Sequence, residues 1–221
     1  IKASFNIDKI KIESFKENTE KVVVVESDWS SASYFYSIIA LSEIGSKVKL
    51  SAFKDDSLQG DSCLSNIYNH FGVETTFNNN SITLTKVREH NTEKLNLDLK
   101  NAPDIAQTIA VTCFGLGLGC ALKGLHTLKI KETDRLVALE NELTKLGASI
   151  SITDESLDLE KSKKINSNIG IETYHDHRMA MAFAPLALKV PIRIIDANVV
   201  TKSFRNFWND MQQIGFQIKE E

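Results

Sequence analysis

Residues 135–152 read RLVALENELTKLGASISI, which is the pattern of an amphipathic helix followed by a glycine and a strand. The leucines recur at the three- and four-residue spacing that places side chains on one face of a helix. Gly147 follows as the residue type that most readily ends a helix in a left-handed conformation. Isoleucines then alternate with serines, as in a half-buried strand. The stretch predicts a helix that passes through a glycine turn directly into a strand.

The same helix, glycine and strand occur twice more in the chain, at a period of about seventy residues. Apolar residues at helical spacing lie at 64–71 before Gly72 and at 204–214 before Gly215. Alternating strands follow the two glycines, at 73–77 and 216–218. The chain is therefore predicted to contain one structural unit three times.

Each unit also contains a helix that is apolar nearly all round, as expected for a helix buried between layers. These helices are predicted at 30–41, 103–114 and 177–188. Strands are expected before them at 22–25, 95–99 and 169–173, and further strands at 82–85 and 157–160 close the first two units.

The predicted fold class is α/β (α+β), with three β-α-β-α-β-β units packed around buried helices. The units lie at about 1–88, 89–165 and 166–221, and the last is cut short at the end of the chain. Because no linker rich in proline, glycine and serine divides them, we expect a single domain over 1–221 with one shared core.

Composition excludes several classes of function. The chain has 221 residues, 42% of them hydrophobic, and a formal net charge of -3. A nucleic-acid partner is not expected, because such proteins rely on a basic face that displaces counterions. Three cysteines without CxxC spacing predict neither a disulfide framework nor a zinc site, so they are expected to be reduced thiols in a cytoplasmic protein.

Neither a membrane span nor a secretion signal is expected. Residues 105–122 are the most apolar long stretch, but polar residues and glycines interrupt it, so a buried helix and a turn are predicted there. The chain starts at Ile1 with no apolar leader segment, which favours a piece excised from a longer polypeptide.

Polar residues gather at the predicted starts of the helices. Acids and hydroxyls there, such as Asp28, Asp104 and Asp176, are explained by capping of unpaired backbone N–H groups. Cations are not, because the helix dipole disfavours them at that end. These cations are Lys131, Arg135, His177, Arg178 and Lys202.

If the repeat points these helix starts at one face, the cations form a well for a phosphate or a carboxylate. Solvated surface lysines remain the alternative for Lys131 and Lys202. Within such a well, Glu132 and Asp104 become candidates for proton transfer. The histidines at 175 and 177 lack a third ligand nearby, so a role in metal binding is not favoured.

Six segments of the sequence occur together and in a fixed order in one known family. They are SDWSSASYF at 27–35, LQGD at 58–61, Pro103-Asp104, KETDRL at 131–136, DHRMAM at 176–181 and KSF at 202–204. On these motifs the chain resembles the EPSP synthase (3-phosphoshikimate 1-carboxyvinyltransferase) family. The pair formed by KETDR and DHRMAM is the most specific part of the resemblance.

The resemblance implies a fold and an activity. Enzymes of this family are about twice as long and have two domains of three such units each, so the chain resembles the C-terminal domain, with the N-terminal domain absent. The implied activity transfers the enolpyruvyl group of phosphoenolpyruvate to the 5-hydroxyl of shikimate 3-phosphate, with release of phosphate. No metal or organic cofactor is implied, and the isolated domain is expected to be inactive because the active site forms when two domains close.

The resemblance also implies a role for each candidate residue. Asp104 is implied to accept the proton of the shikimate hydroxyl, with Lys131 as a second contact to that substrate. Glu132 is implied to exchange a proton with the methylene carbon. A cationic clamp on phosphoenolpyruvate is implied for Arg135, Arg178 and Lys202, assisted by His177.

Two positions depart from the family pattern. Arg205 stands where a proline is common, which puts the start of the last helix and the aim of Lys202 in doubt. Thr127 replaces a frequent asparagine, which puts one substrate contact in doubt. The alternatives are UDP-N-acetylglucosamine enolpyruvyl transferase, whose sequences lack the intact KETDR string, and a non-catalytic anion-binding module of the same fold.

Overall fold

The computed structural model describes residues 2–14, 20, 22–91 and 94–220. Its strands are β1 (Ala3–Asn6), β2 (Lys9–Ile12), β3 (Lys47–Ser51), β4 (Val73–Asn78), β5 (Ser81–Lys86), β6 (Lys94–Asp98), β7 (Gly119–Lys123), β8 (Ile150–Ile152), β9 (Ser156–Leu159), β10 (Ile169–Ile171) and β11 (Ile192–Ile194). Its helices are α1 (Trp29–Leu41), α2 (Leu64–Ile67), α3 (Ala106–Gly115), α4 (Arg135–Lys145), α5 (His177–Phe183) and α6 (Phe207–Gln213).

Among the described residues, three of the four sheets follow the predicted repeat. The second unit has the full β-α-β-α-β-β order and forms a sheet with strand order β6-β7-β9-β8. β6 and β7 are parallel, as a crossover through α3 requires, and β7 pairs with β9 antiparallel. The first unit forms the sheet β3-β5-β4, and the third forms the parallel pair β10-β11. The α/β prediction is confirmed.

The three apolar helices pack against one another at the centre of the molecule. Twelve residues of α1 are buried, and nine residues of α3 are buried as well. Hydroxyl groups inside this layer are paired between helices, because an unpaired buried hydroxyl would lose its bonds to water. Thr112 on α3 donates to Ser37 on α1 over 2.8 Å, and Ser33 lies 3.0 Å from Thr108. These contacts bring the starts of α1 and α3 side by side.

Two predicted strands are wrong. Residues 22–25 form no strand, and their valine side chains are 54 to 96% exposed. Residues 216–218 are also irregular. β-branched and alternating sequences form strands only where a neighbouring strand offers hydrogen bonds, and among the described residues neither stretch has such a neighbour. The hairpin of β1 and β2 was not predicted, and every residue in its strands is exposed.

Four helices are shorter than predicted. α2 ends at Ile67 and gives way to a 3-10 turn at Tyr68–Phe71. α3 is preceded by a 3-10 turn at Pro103–Ile105, and α5 gives way to a 3-10 turn at Ala184–Leu188. Proline lacks an N–H group, so Pro185 cannot continue the hydrogen bonding of α5. α6 begins only at Phe207, so Lys202 ends a 3-10 turn at Ala197–Lys202 and does not start a helix.

In the part of the chain that the structure describes, no helix combines the length and the apolar character that crossing a bilayer demands.

Candidate active site

The starts of α3, α4 and α5 meet at one point, and each is fixed by its local sequence. Asp134 caps α4 by accepting bonds from the backbone N–H groups of the two residues after Arg135, each at 3.2 Å. Asp176 caps α5 by accepting from the N–H of Arg178 at 2.8 Å. Asp104 lies in the 3-10 turn that leads into α3. Charged side chains from the second and third units therefore project into a common space.

Arg135 is the centre of this space. Its side chain is 2% exposed, and its guanidinium donates to three carboxylates. Nε lies 2.6 Å from Asp176 Oδ2, Nη1 lies 3.0 Å from Asp104 Oδ1, and Nη2 lies 2.8 Å from Glu132 Oε2. A buried guanidinium is stable only when its donors are paired in this way.

Asp104 contacts three cations. Besides Arg135, its carboxylate lies 3.2 Å from Nη2 of Arg178 and 3.3 Å from Nζ of Lys131. Burial alone would raise the pKa of Asp104, but the fields of Arg178, Lys131 and Arg135 outweigh it and hold the pKa below its ordinary value. The group is therefore ionised and ready to accept a proton, at the cost of being a weak base while the cations remain in place.

Glu132 is the second carboxylate at the open side of the network. Its Oε1 lies 3.2 Å from Nζ of Lys202, whose side chain is 60% exposed. Burial opposes ionisation, but its own backbone N–H, Lys202 and Arg135 together lower the pKa of Glu132 to about 2. The exposed side chain of Lys202 thus connects Glu132 to the third unit.

His177 fills the space between these groups. Its side chain is 10% exposed, and Nδ1 lies 3.9 Å from Glu132 Oε1 and 3.8 Å from Asp176 Oδ1, both beyond hydrogen-bond distance. No described residue provides a hydrogen-bond partner for Nδ1. Burial lowers the pKa of His177, so the ring is neutral at neutral pH.

All seven residues selected from the sequence lie in this one network, but one reason for selecting them was wrong. The cations were expected to be costly at helix starts without a bound anion. The lysines and arginines each have a carboxylate partner within the chain, supplied by Asp104, Glu132 or Asp176. Four cations against three carboxylates leave a single positive charge when His177 is neutral. Their positions alone therefore do not require an anion, and a ligand must compete with the carboxylates.

Three contributors were not selected from the sequence. Asp176 was explained by capping alone, although it also pairs with Arg135 in the interior. Ser30, in the first turn of α1, lies 3.4 Å from Nη2 of Arg178 and donates to Asp61. The only sequence signal for Asp61 was its membership of the LQGD motif. Contacts between residues so far apart in the chain leave no periodic trace in the sequence.

The two departures from the family pattern lie at the margin of the network. Thr127 is half-buried, and its hydroxyl has no hydrogen-bond partner among the described residues. Arg205 is exposed, and α6 begins two residues after it. Within the described part of the chain, no hydrogen bond or ion pair joins either residue to the seven residues of the site.

Acid titration of Glu132 provides a direct check of the network. The folded-state pKa of about 2 lies below the ordinary value of 4.5, so this carboxylate stabilises the fold above pH 4.5 and the contribution is lost as the pH falls toward 2. Glu132→Gln should therefore reduce the free energy of unfolding at neutral pH by on the order of 2 kcal/mol. Urea unfolding from pH 7 to pH 2.5 should show the two proteins converging. An offset independent of pH would contradict the assignment.

Comparison with known proteins gives one consistent result. The family model of EPSP synthase (3-phosphoshikimate 1-carboxyvinyltransferase) matches residues 1–211. A 3-phosphoshikimate 1-carboxyvinyltransferase of Bacteroides fragilis is 42% identical over 198 residues, covering 88% of this chain and 48% of that protein. One of Haemophilus influenzae is 34% identical over 197 residues, covering 86% and 43%.

The fold is likewise similar to solved structures. An EPSP synthase from Acinetobacter baumannii superposes with a TM-score of 0.80 at 21% sequence identity, over 100% of this chain and 52% of that one. At this identity the match establishes the fold alone. The chain spans about half the length of the curated relatives it matches.

Proposed function

Since the chain belongs to the EPSP synthase family, we propose that it forms the C-terminal half of an enzyme that makes an enolpyruvyl ether. The reaction transfers the enolpyruvyl group of phosphoenolpyruvate to the 5-hydroxyl of shikimate 3-phosphate and releases phosphate. The enzyme is cytoplasmic and acts without a metal or an organic cofactor. Its other half is a second domain of the same polypeptide.

The observation that carries this proposal is the convergence of Asp104, Glu132 and their cations at one open face. Enolpyruvyl transfer needs a base for the attacking hydroxyl, a proton donor for the methylene carbon, and cations for a phosphate and a carboxylate. One network supplies these functions. It contains two carboxylates in different surroundings and a set of guanidinium and ammonium groups.

We assign the carboxylates to proton transfer. Asp104 accepts the proton of the 5-hydroxyl, and Lys131, which it already contacts, also binds shikimate 3-phosphate. Glu132 exchanges a proton with the methylene carbon once Lys202 turns toward phosphoenolpyruvate, because the loss of that contact raises the pKa of Glu132 and lets the carboxylate hold a proton. As Lys131 and Arg178 turn toward the substrates, the pKa of Asp104 rises and the group becomes a stronger base.

The cationic clamp on phosphoenolpyruvate consists of Arg178, Lys202 and Arg135, with His177 beside them. Arg178 and Lys202 each contact one carboxylate and retain free donors. Arg135 has five N–H donors, and four contacts to carboxylates leave one for a ligand. Arg135 therefore acts mainly by fixing the carboxylates, and the neutral His177 adds a ring N–H or lone pair at short range.

The network carries a single net positive charge, which is too little to hold both substrates, because together they carry several negative charges. We infer that the absent half supplies further cations and excludes water when the halves close. The chain should fold by itself, because its three units share a buried core. Turnover by the purified 221-residue chain without the other half would refute this division of labour.

Binding of one substrate to the chain tests the site itself. Phosphoenolpyruvate should bind weakly, with a dissociation constant of about 1 mM or higher, because the clamp is open to water and screened by salt. Backbone NMR signals of Arg135, Arg178 and Lys202 should shift first. Arg178→Ala should weaken binding, whereas Arg193→Ala, an exposed arginine on β11, should not. Chemical-shift changes centred on other residues would show that phosphoenolpyruvate binds at a different site.

A further inference from the structure

Arg178 uses only one corner of its guanidinium to contact the protein. Nη2 lies 3.2 Å from Asp104 Oδ2 and 3.4 Å from the hydroxyl oxygen of Ser30. Those two acceptors use both N–H bonds of Nη2. Among the described residues, none accepts a hydrogen bond from Nε or Nη1. The donors at Nε and Nη1 are therefore unoccupied by the protein and can bind a phosphate or carboxylate, and Asp104 and Ser30 set the direction in which they point.

The hydroxyl of Ser30 has a defined direction because of Asp61. Ser30 Oγ donates its single proton to Asp61 Oδ2, which leaves the oxygen lone pairs for Arg178. Ser30 is 7% exposed, so water does not compete freely for this proton. A hydroxyl without such an acceptor is free to rotate, and in some orientations its proton faces the cation. Asp61 thus determines whether Ser30 attracts or repels Arg178.

The loop that carries Asp61 is itself held in place. Gln59 accepts a hydrogen bond from the backbone N–H of Trp29 at 2.9 Å, and its amide donates to the carbonyl of Ser27 at 2.8 Å. A side chain at Gly60 would overlap the carbonyl oxygen of Asn101, so only glycine permits this approach. The loop therefore packs between the start of α1 and the turn that leads to Asp104.

We propose that Asp61 is a positioning residue that acts through Ser30 to aim the free Nε and Nη1 donors of Arg178 at the phosphate or carboxylate of a ligand. The orientation of Arg178 matters for the function proposed above. The inference depends on that function only for the identity of the ligand. Asp61 touches no substrate in this scheme. Its effect is confined to the orientation and mobility of one guanidinium group.

The first measurement needs no ligand. Side-chain ¹⁵N NMR of Arg178 should show restricted rotation of the guanidinium in the wild-type chain, because both N–H bonds of Nη2 are held. Ser30→Ala removes the acceptor, and Asp61→Ala removes the group that orients it, so both should speed this rotation. Ser30→Thr keeps the hydroxyl and should behave like the wild type. Ser31→Ala is the matched control, because Ser31 bonds to Asp28 and not to Arg178.

The second measurement is a titration of the same proteins with inorganic phosphate. Ser30→Ala and Asp61→Ala should weaken binding about threefold to tenfold, since one cation is no longer held in the productive orientation. Ser30→Thr and Ser31→Ala should stay within about twofold of the wild type. Backbone NMR spectra identify any variant that has lost its fold. The two variants expected to weaken binding, Ser30→Ala and Asp61→Ala, lie in different segments of the chain.

The outcomes separate the two proposals. Unchanged rotation of Arg178 in Ser30→Ala and Asp61→Ala overturns the inference, as does faster rotation in Ser31→Ala. Faster rotation in the two loss variants supports it. If rotation speeds up as expected while Arg178→Ala leaves phosphate affinity unchanged, Asp61 does position Arg178 and the proposed anion clamp is wrong.

Discussion

Replacement of Asp104 by alanine is expected to slow the chemical step of the complete enzyme by about a hundred- to ten-thousand-fold, the usual contribution of a general base. The proton of the attacking hydroxyl would lose its acceptor as the new bond forms. Binding of the substrates should change much less, because a proton acceptor acts mainly in the transition state. In the free protein the lowered pKa of Asp104 keeps it ionised near neutral pH, so an acidic limb near neutrality in kcat/KM, which reports the free enzyme, would belong to another group.

Single-turnover kinetics with both substrates saturating separates chemistry from binding. Arg178→Ala is the informative comparison, since a clamp residue contacts the bound ground state and should weaken phosphoenolpyruvate binding as well as the rate. An Asp104→Ala enzyme whose chemical step remains within about threefold of the wild type would exclude Asp104 as the base. Glu132 would then be the remaining candidate.

Local patterns were enough to predict the elements that carry the site. The leucine spacing and Gly147 placed α4 within one residue of its observed bounds, and the apolar run at 30–41 became α1. Such helices bury one face or all faces, so their burial pattern is visible in the sequence. The seven site residues were identified because they interrupt that pattern at the predicted helix starts and match a family motif.

Long-range pairing was not visible in the same way. Valines at 22–25 have high strand propensity, but a strand also needs a neighbouring edge, and the described residues provide none. Asp176 satisfies the rules for a helix cap, so its sequence gave no reason to expect a buried partner 41 positions away. The internal pairing of the cations is a tertiary property, and for that reason the sequence overstated the need for a bound anion.

That pairing predicts a large effect on stability. Asp176→Asn should lower the free energy of unfolding by about 2 to 4 kcal/mol, because it leaves the buried guanidinium of Arg135 without its closest counter-ion. The side chain of Asp176 is 0% exposed and that of Arg135 is 2% exposed, so water cannot replace the lost charge. Asp104 and Glu132 still contact Arg135, which keeps the loss below that of a pair broken in isolation.

The helix cap must be separated from the ion pair in this experiment. Asparagine caps a helix about as well as aspartate, so the loss of the cap itself should cost little. Asp134→Asn is the matched control, because Asp134 caps α4 and has no ion pair among the described residues. It should change the free energy of unfolding by less than about 0.5 kcal/mol. Equal losses in the two variants would attribute the effect of Asp176 to capping.

A double-mutant cycle completes the test. In Arg135→Met the buried charge is removed, and the carboxylate of Asp176 is left unpaired, so this single variant should also be strongly destabilised. Adding Asp176→Asn to Arg135→Met removes the second charge, and the double variant should be more stable than the sum of the single losses predicts by about 1.5 kcal/mol or more. Urea unfolding of the four proteins measures this coupling. Additive losses would show that Arg135 and Asp176 contribute independently and that the contact between them does not hold α4 and α5 together.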